Sequence, residues 1–134
     1  MTVAPFLDVA TIAAIVFAVA AGGVVAFQLA LALGAPWGTY AMGGAFPGRF
    51  PPPLRVAAVV QATVIGLLAV VVFSDAGLVL RDLADGFPWL VWVPVAVSAL
   101  AVVLNAISRS SGERRIWVPV TLVLLVSSLV VATS

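Results

Sequence analysis

The chain has no cysteine, no histidine and no lysine, and charged residues make up only 8% of it. Without cysteine, disulfides, thiolate chemistry and cysteine-ligated metals are excluded; without histidine, imidazole-ligated haem and the usual zinc sites are excluded too. What is present is mostly apolar, because 64% of the 134 residues are hydrophobic and the mean hydropathy is +1.30. Lipid is therefore the expected surrounding of most of the chain.

Four apolar runs cover most of the length. The predicted spans are residues 9–33, 54–73, 89–107 and 116–132. Each is close to the roughly 20 residues that a helix needs to cross the hydrocarbon core. Backbone groups in lipid must be paired within the segment, so the runs predict helices rather than strands. The expected fold is all-α: one transmembrane domain, residues 1–134, built as an integral membrane four-helix bundle.

The first run is expected to be a retained helix rather than a cleaved signal sequence. Residues 1–8 contain no basic residue, and the apolar run that follows spans about 25 residues. Signal sequences instead have a basic start and an apolar core of roughly 7–15 residues.

The arginine distribution predicts the orientation. The first and third gaps must share one side, and they hold five of the six arginines: Arg49, Arg55, Arg109, Arg114 and Arg115. The positive-inside rule places these gaps in the cytoplasm, and both termini and the acidic second gap outside. The same five arginines are candidate contacts for anionic lipid headgroups.

Small residues recur at every fourth position in the first two spans. The two ladders are Ala14, Ala18, Gly22 and Ala26, and Ala58, Ala62 and Gly66. Close approach of small residues drives helix association in lipid, so spans one and two are expected to pack along these ladders.

One uncharged polar residue in each span lies near its predicted cytoplasmic end: Gln28, Gln61, Asn105 and Thr121. At 1.5 Å per residue, these positions predict a polar layer roughly 4–9 Å below the cytoplasmic edge. Two interpretations remain open. The side chains bond across helices and fix the bundle, or they line a cavity that is open to the cytoplasm and contacts a small ligand.

The first loop, residues 34–55, is rich in glycine and proline yet carries several aromatic residues. Flexible linkers are polar, so this loop is expected to fold back onto the bundle or lie in the interface. The candidate residues for a cap over the polar layer are Pro36, Trp37, Gly38, Tyr40, Gly43 and Gly44. A re-entrant loop is the alternative.

The remaining gaps predict local features. In the third gap, Ser110 or Ser111 is expected to cap the following helix, with Glu113 in its first turn. In the second gap, a short surface helix is expected around residues 78–83.

Two strings of residues resemble a known family. They are PWG at residues 36–38 with GG at 43–44 and PPLR at 52–55, and N-x2-S-x-S-x2-E-R at 105–114. Together they resemble an uncharacterised family of small four-helix bacterial membrane proteins. The resemblance covers nearly the whole chain and implies the cytoplasmic (inner) membrane of a bacterium and the same four spans. It implies no activity.

The sequence shows no nucleophile–base pair, metal cluster or phosphate-cradling loop, so neither an enzyme nor a cofactor is expected. The first hypothesis is a structural or accessory membrane protein that packs with itself or with a larger membrane complex. The alternative is a small oligomeric channel or carrier for a neutral or weakly charged solute. The expected partners are the lipid bilayer and either further copies of the chain or other membrane proteins. A net charge of +1 gives no reason to expect nucleic acid.

Overall fold

A computed structural model describes residues 8–134, which form five α-helices and no strand. The helices are α1 (Val9–Ala32), α2 (Pro52–Asp75), α3 (Arg81–Gly86), α4 (Trp92–Ala106) and α5 (Ser111–Ala132). The all-α class is confirmed. By length and composition, α1, α2 and α5 can each cross a membrane, as a multi-pass membrane protein requires. The N-terminus is expected on the extracytoplasmic side of the membrane. Residues 1–7, to which this expectation applies, are not among the residues that the structure describes.

The third apolar run differs from its prediction. The helix α4 has 15 residues and begins at Trp92, three residues after the predicted start. At 1.5 Å per residue it extends about 22 Å, less than the roughly 30 Å of the hydrocarbon core. Residues 88–91 form a turn before it, in which the Leu90 N–H donates to the Phe87 carbonyl at 2.9 Å.

Glycines with positive φ end the first two long helices. Gly34 (φ 97°) follows α1, and Gly77 (φ 80°) follows α2. After α1, the Gly34 N–H donates to the Leu31 carbonyl and the Ala35 N–H to the Ala30 carbonyl. This is the Schellman arrangement, which satisfies carbonyls that the helix leaves free. The short α3 follows at Arg81–Gly86 rather than at residues 78–83, because the chain turns at Gly77 before a new helix begins.

Ser110 caps α5, as one of the two predicted options. Its Oγ accepts a hydrogen bond from the Glu113 N–H at 3.1 Å. A serine at this position satisfies one of the free N–H groups of the first turn.

The helix α1 packs against both α2 and α5, and α4 packs against α5, whereas α2 and α4 make fewer contacts with each other. The main hydrophobic cluster joins α1, α2, α5 and the turn before α4. Its buried members are Ala13, Ala14, Phe17, Ala21, Leu68, Val72, Val91, Leu124 and Val131.

The pairing of the first two spans is confirmed, but the ladder on α1 is wrong. Of its four residues only Ala14 is buried, and both Gly22 and Ala26 are exposed. Because α1 packs on two sides, its buried face includes Phe17 and Leu31, which one stripe of small residues does not describe. On α2 the ladder holds at Ala58 and Ala62, which are buried.

The two ends of the bundle carry different charges. We call one the arginine end: it holds the first loop, the third gap and the five arginines assigned to them above. We call the other the acidic end: it holds α3 and the carboxylates Asp8, Asp75, Asp82 and Asp85.

Candidate functional site

A cleft of about 580 Å³ lies at the arginine end, between the N-terminal half of α2 and the C-terminal half of α4. The helices α1 and α5 form its back, and the first loop forms one wall. The structure brings the four residues of the predicted polar layer together here: Gln28, Gln61, Asn105 and Thr121 all line this cleft.

The hydrogen bonds of these four residues do not join one helix to another. The Asn105 Nδ2–H donates to the Ala101 carbonyl at 2.7 Å, and the Thr121 hydroxyl donates to the Trp117 carbonyl at 2.6 Å. Both acceptors belong to the donor's own helix. Within residues 8–134, the side chains of Gln28 and Gln61 have no hydrogen-bond partner. The crosslinking interpretation of the polar layer therefore has no support in this geometry.

Apolar side chains form the floor of the cleft. Val24, Ile65 and Leu124 line it about one helical turn further from the arginine end than the polar residues of their helices. Leu124 belongs to the main hydrophobic cluster, and Val24 and Ile65 pack against it. The cleft therefore ends against the packed core of the bundle.

The first loop supplies the wall through residues 40–43. Of the six candidate cap residues, Tyr40 and Gly43 line the cleft, together with Ala41 and Met42, which the sequence analysis did not single out. The glycines allow this path, since Gly43 and Gly44 both adopt positive φ (67° and 76°).

The other four candidate cap residues do not line the cleft. Pro36 is exposed, and the Trp37 ring is stacked 6.3 Å from the Phe27 ring. Gly38 is buried, and its N–H donates to the Gly48 carbonyl at 2.9 Å, which holds the loop together. Gly44 lies against Ser110, because a Cβ added to it would come within 3.3 Å of the Ser110 Cβ.

Three hydrogen bonds attach the first loop to α5 and its cap. The Gly43 N–H donates to Glu113 Oε2 at 2.8 Å, and the Ser110 hydroxyl donates to the Thr39 carbonyl at 2.7 Å. The Trp117 Nε1–H donates to the Tyr40 carbonyl at 2.9 Å. Trp117 also packs on Phe27 of α1, with ring centroids 4.7 Å apart. The wall of the cleft is thus fixed to the helix behind it.

Glu113 is the centre of this attachment. Its side chain is buried, lines the cleft, and accepts hydrogen bonds from the Gly43 N–H and from the Ser108 hydroxyl at 3.0 Å. Its position in the sequence predicts only a role at the helix terminus. A signal was present: among the described residues, Glu113 is the one carboxylate at the arginine end.

Gly112 permits the contact between the loop and α5. A Cβ added to Gly112 would lie 2.6 Å from Tyr40 Cε1 and 2.8 Å from Tyr40 Cδ1. The Tyr40 ring could not keep its position against any larger residue there.

The five arginines have different surroundings. Arg109 lines the cleft and is exposed, and Arg49 and Arg115 are exposed without lining it. The Arg55 Nε–H donates to the Phe50 carbonyl at 2.8 Å, and an Arg114 N–H donates to the Ser108 carbonyl. Arg109 is therefore the arginine placed to meet a ligand of the cleft.

A second depression, of about 440 Å³, lies on the outer surface between α1 and α5. Its one polar residue is Ser127, whose hydroxyl donates to the Val123 carbonyl at 2.6 Å in its own helix. This surface has the character of a lipid-facing groove and offers no free polar group.

Within residues 8–134, no three side chains of the His, Cys, Asp or Glu type lie together as a metal site would require. Comparisons of the chain with protein families, with curated proteins and with solved structures found no match.

Proposed function

We propose that the chain is a multi-pass protein of the bacterial cytoplasmic membrane that binds a small organic ligand in the cleft at its arginine end. In this proposal α4 also spans the membrane, as the third of four spans, and the turn at residues 88–91 lengthens it. The arginine end lies in the cytoplasm, because five of the six arginines are there.

The observation that carries the proposal is the state of Gln28 and Gln61. Both amides line the cleft, and neither has a partner within the described part of the chain. Neither amide is buried: Gln61 is exposed and Gln28 is half-buried. Both are therefore open to water or to a ligand in the cleft, either of which can supply the hydrogen bonds that an amide in an apolar environment needs. A volume of about 580 Å³ is also in the range of small-molecule sites, roughly 300–1,000 Å³.

A binding role fits this geometry better than conduction by a single copy. The cleft ends on Leu124, Ile65 and Val24, which belong to the hydrophobic cluster or pack against it. A conducting path would need further copies of the chain, so the channel hypothesis predicts a homo-oligomer.

The test is native mass spectrometry of the protein purified in mild detergent from a bacterial membrane. The wild type is compared with the double variant Gln28→Leu/Gln61→Leu. Thr63→Val is the control, because Thr63 is an exposed polar residue of the same helix that does not line the cleft.

The wild type and Thr63→Val are expected to carry a bound small molecule, and the double variant is expected to lose it while keeping its melting temperature. A wild type without bound mass, or equal occupancy in all three proteins, would contradict the proposal.

An accessory role is the second candidate, and the surface of α4 favours it. Leu100, Val103 and Leu104 are each more than half exposed on a helix shorter than the bilayer is thick. Another membrane helix could cover this face. The same spectra test the idea, because foreign subunits would appear as additional masses, whereas a lone monomer would count against it.

A further inference from the structure

We propose that the ligand of the cleft is a membrane lipid with an anionic phosphate headgroup, which enters from the bilayer between α2 and α4. This inference rests on the proposed function, since it names the ligand class of the same cleft. Its support comes from the order of polar and apolar groups, from the charge at the rim, and from the side on which the cleft is open.

The polar and apolar residues that line the cleft follow the same order along α1, α2, α4 and α5. On each, a polar residue that lines the cleft lies one turn nearer the arginine end than an apolar one. The pairs are Gln28 and Val24, Gln61 and Ile65, Asn105 and Ala101, and Thr121 and Leu124. Three or four residues separate the members of a pair, which is about 5–6 Å along a helix.

A phospholipid has this order of polarity along its own length. Its charged phosphate is followed by ester oxygens and then by hydrocarbon. With the phosphate at the rim, the amide N–H groups of Gln28 and Gln61 can donate to the ester oxygens. The hydrocarbon then contacts the apolar floor. A small polar solute would leave that floor unused.

The exposed charged group at the rim is a guanidinium, because Arg109 is exposed and Glu113 is buried. Arg109 and Glu113 are the two charged residues that line the cleft. Glu113 Oε2 is already bonded to the Gly43 N–H and the Ser108 hydroxyl, and the other carboxylates lie at the acidic end. The Arg109 guanidinium therefore remains for a ligand, and guanidinium groups bind phosphate oxygens with paired hydrogen bonds.

The open side of the cleft faces lipid. Gln61, Leu104 and Ile107 line the cleft and are nevertheless exposed, with Leu104 at 55% and Ile107 at 70%. These residues lie where α2 and α4 are apart. An amphiphile in the bilayer can reach the cleft there without crossing water, while the ends of its chains stay in the membrane.

The test titrates the full-length purified protein with three probes and measures occupancy by native mass spectrometry. The probes are phosphatidylglycerol, phosphatidylcholine and glycerol 3-phosphate, which is an anionic headgroup without chains. The proteins are the wild type, Arg109→Gln and the control Arg115→Gln. Arg115 is an exposed arginine of the same end that does not line the cleft.

Phosphatidylglycerol is expected to bind the wild type and Arg115→Gln equally, and Arg109→Gln about tenfold more weakly, as the loss of one charged hydrogen-bonded contact predicts. Phosphatidylcholine is expected to bind the wild type about tenfold more weakly than phosphatidylglycerol. Glycerol 3-phosphate is expected to show no occupancy at the same concentrations.

Each other outcome overturns a part of the inference. Equal weakening in both arginine variants would indicate the general attraction of anionic lipid to basic residues. Equal binding of the two lipids would show that a net negative headgroup is not required, since phosphatidylcholine carries the same phosphate beside a choline cation. Tight binding of glycerol 3-phosphate would show that the ligand comes from water rather than from the bilayer. A wild type that carries a co-purified molecule other than a lipid would keep the proposed function and end this inference. A wild type that binds nothing would end both.

Discussion

The acidic end of the bundle is closed by the main hydrophobic cluster, whereas at the arginine end a smaller cluster and the hydrogen bonds of the first loop surround an open cleft. At the acidic end, Val72, Val131 and Ala14 are at most 2% exposed, and the depression beside α3 has no volume for even a water molecule. At the arginine end, about 580 Å³ remains open beside buried polar groups. The first arrangement gives the bundle its rigidity, and the second leaves polar groups free for a ligand.

The difference follows from what each end contains. Helices in lipid associate mainly through close packing, which the aliphatic residues of the acidic end achieve directly. The arginine end instead has a long loop rich in glycine and proline, whose backbone groups need partners. Ser110, Glu113 and Trp117 supply them. Substitutions that break these bonds should therefore open the cleft without loosening the packed end.

The largest effect is expected for Gly38→Ala. A Cβ there would lie 1.8 Å from the Phe46 carbonyl oxygen and 2.7 Å from the Gly48 carbonyl oxygen, both of the backbone. The loop cannot close around this methyl group, and we expect the free energy of unfolding in detergent to fall by about 3 kcal/mol. Denaturant titration followed by circular dichroism measures it.

Gly22→Ala is the control for this change. An added Cβ at Gly22 has nothing within 4 Å, and alanine is the better helix former by about 1 kcal/mol. The control should therefore be neutral or slightly stabilising. Equal stability of the two variants would show that the first loop does not need its observed conformation.

Glu113→Ala should have the next largest effect. It leaves the Gly43 N–H and the Ser108 hydroxyl without their acceptor. Two hydrogen bonds to a carboxylate predict a fall of about 3 kcal/mol in the free energy of unfolding, the lower end of the range for two such bonds. Tryptic cleavage after the exposed Arg49 of the loop should become faster. Asp85→Ala, an exposed carboxylate at the acidic end, should change neither stability nor cleavage. Unchanged cleavage in Glu113→Ala would contradict the role of Glu113 in holding the loop.

Periodicity and composition predicted the long helices well, because the length of an apolar run and its flanking prolines and glycines act locally. The ends of α1 and the Ser110 cap agree with prediction for this reason. Counting residues along the helices also placed Gln28 and Gln61 near the same end of the bundle, and both line one cleft there. These inferences need no knowledge of tertiary contacts.

The attachment of the first loop could not be predicted in the same way. The Gly43–Glu113 bond joins residues 70 positions apart, and the Tyr40–Gly112 contact depends on the exact path of the loop. The face of α1 was also mispredicted, because a ladder of small residues does not show that α5 packs on the other side. The missed features are those that depend on long-range geometry.

Phe17→Ala and Leu104→Ala compare the two ends directly. Phe17 is 1% exposed in the packed cluster, whereas Leu104 lines the open cleft and is 55% exposed. Truncating Phe17 leaves a cavity, and the cost of that cavity alone predicts a fall of about 2 kcal/mol in the free energy of unfolding. Truncating Leu104 only widens a space that already exists, so its effect should stay within about 0.5 kcal/mol. Equal losses in denaturant titration would mean that the cleft is packed as tightly as the acidic end.

Trp117→Phe should have the smallest effect of the four substitutions expected to destabilise the protein, and it isolates one bond of the attachment. Phenylalanine keeps an aromatic ring against Phe27 but cannot donate to the Tyr40 carbonyl. The loss of one neutral hydrogen bond predicts a fall of about 1 kcal/mol in the free energy of unfolding. The control is Trp89→Phe at the acidic end, where the ring is 59% exposed and packs edge-on near Phe87. Because the Trp117 N–H bonds the first loop, whereas the Trp89 ring packs near Phe87, Trp117→Phe should lower the unfolding free energy and Trp89→Phe should not. Equal losses would show that the indole ring, rather than its N–H, holds the loop.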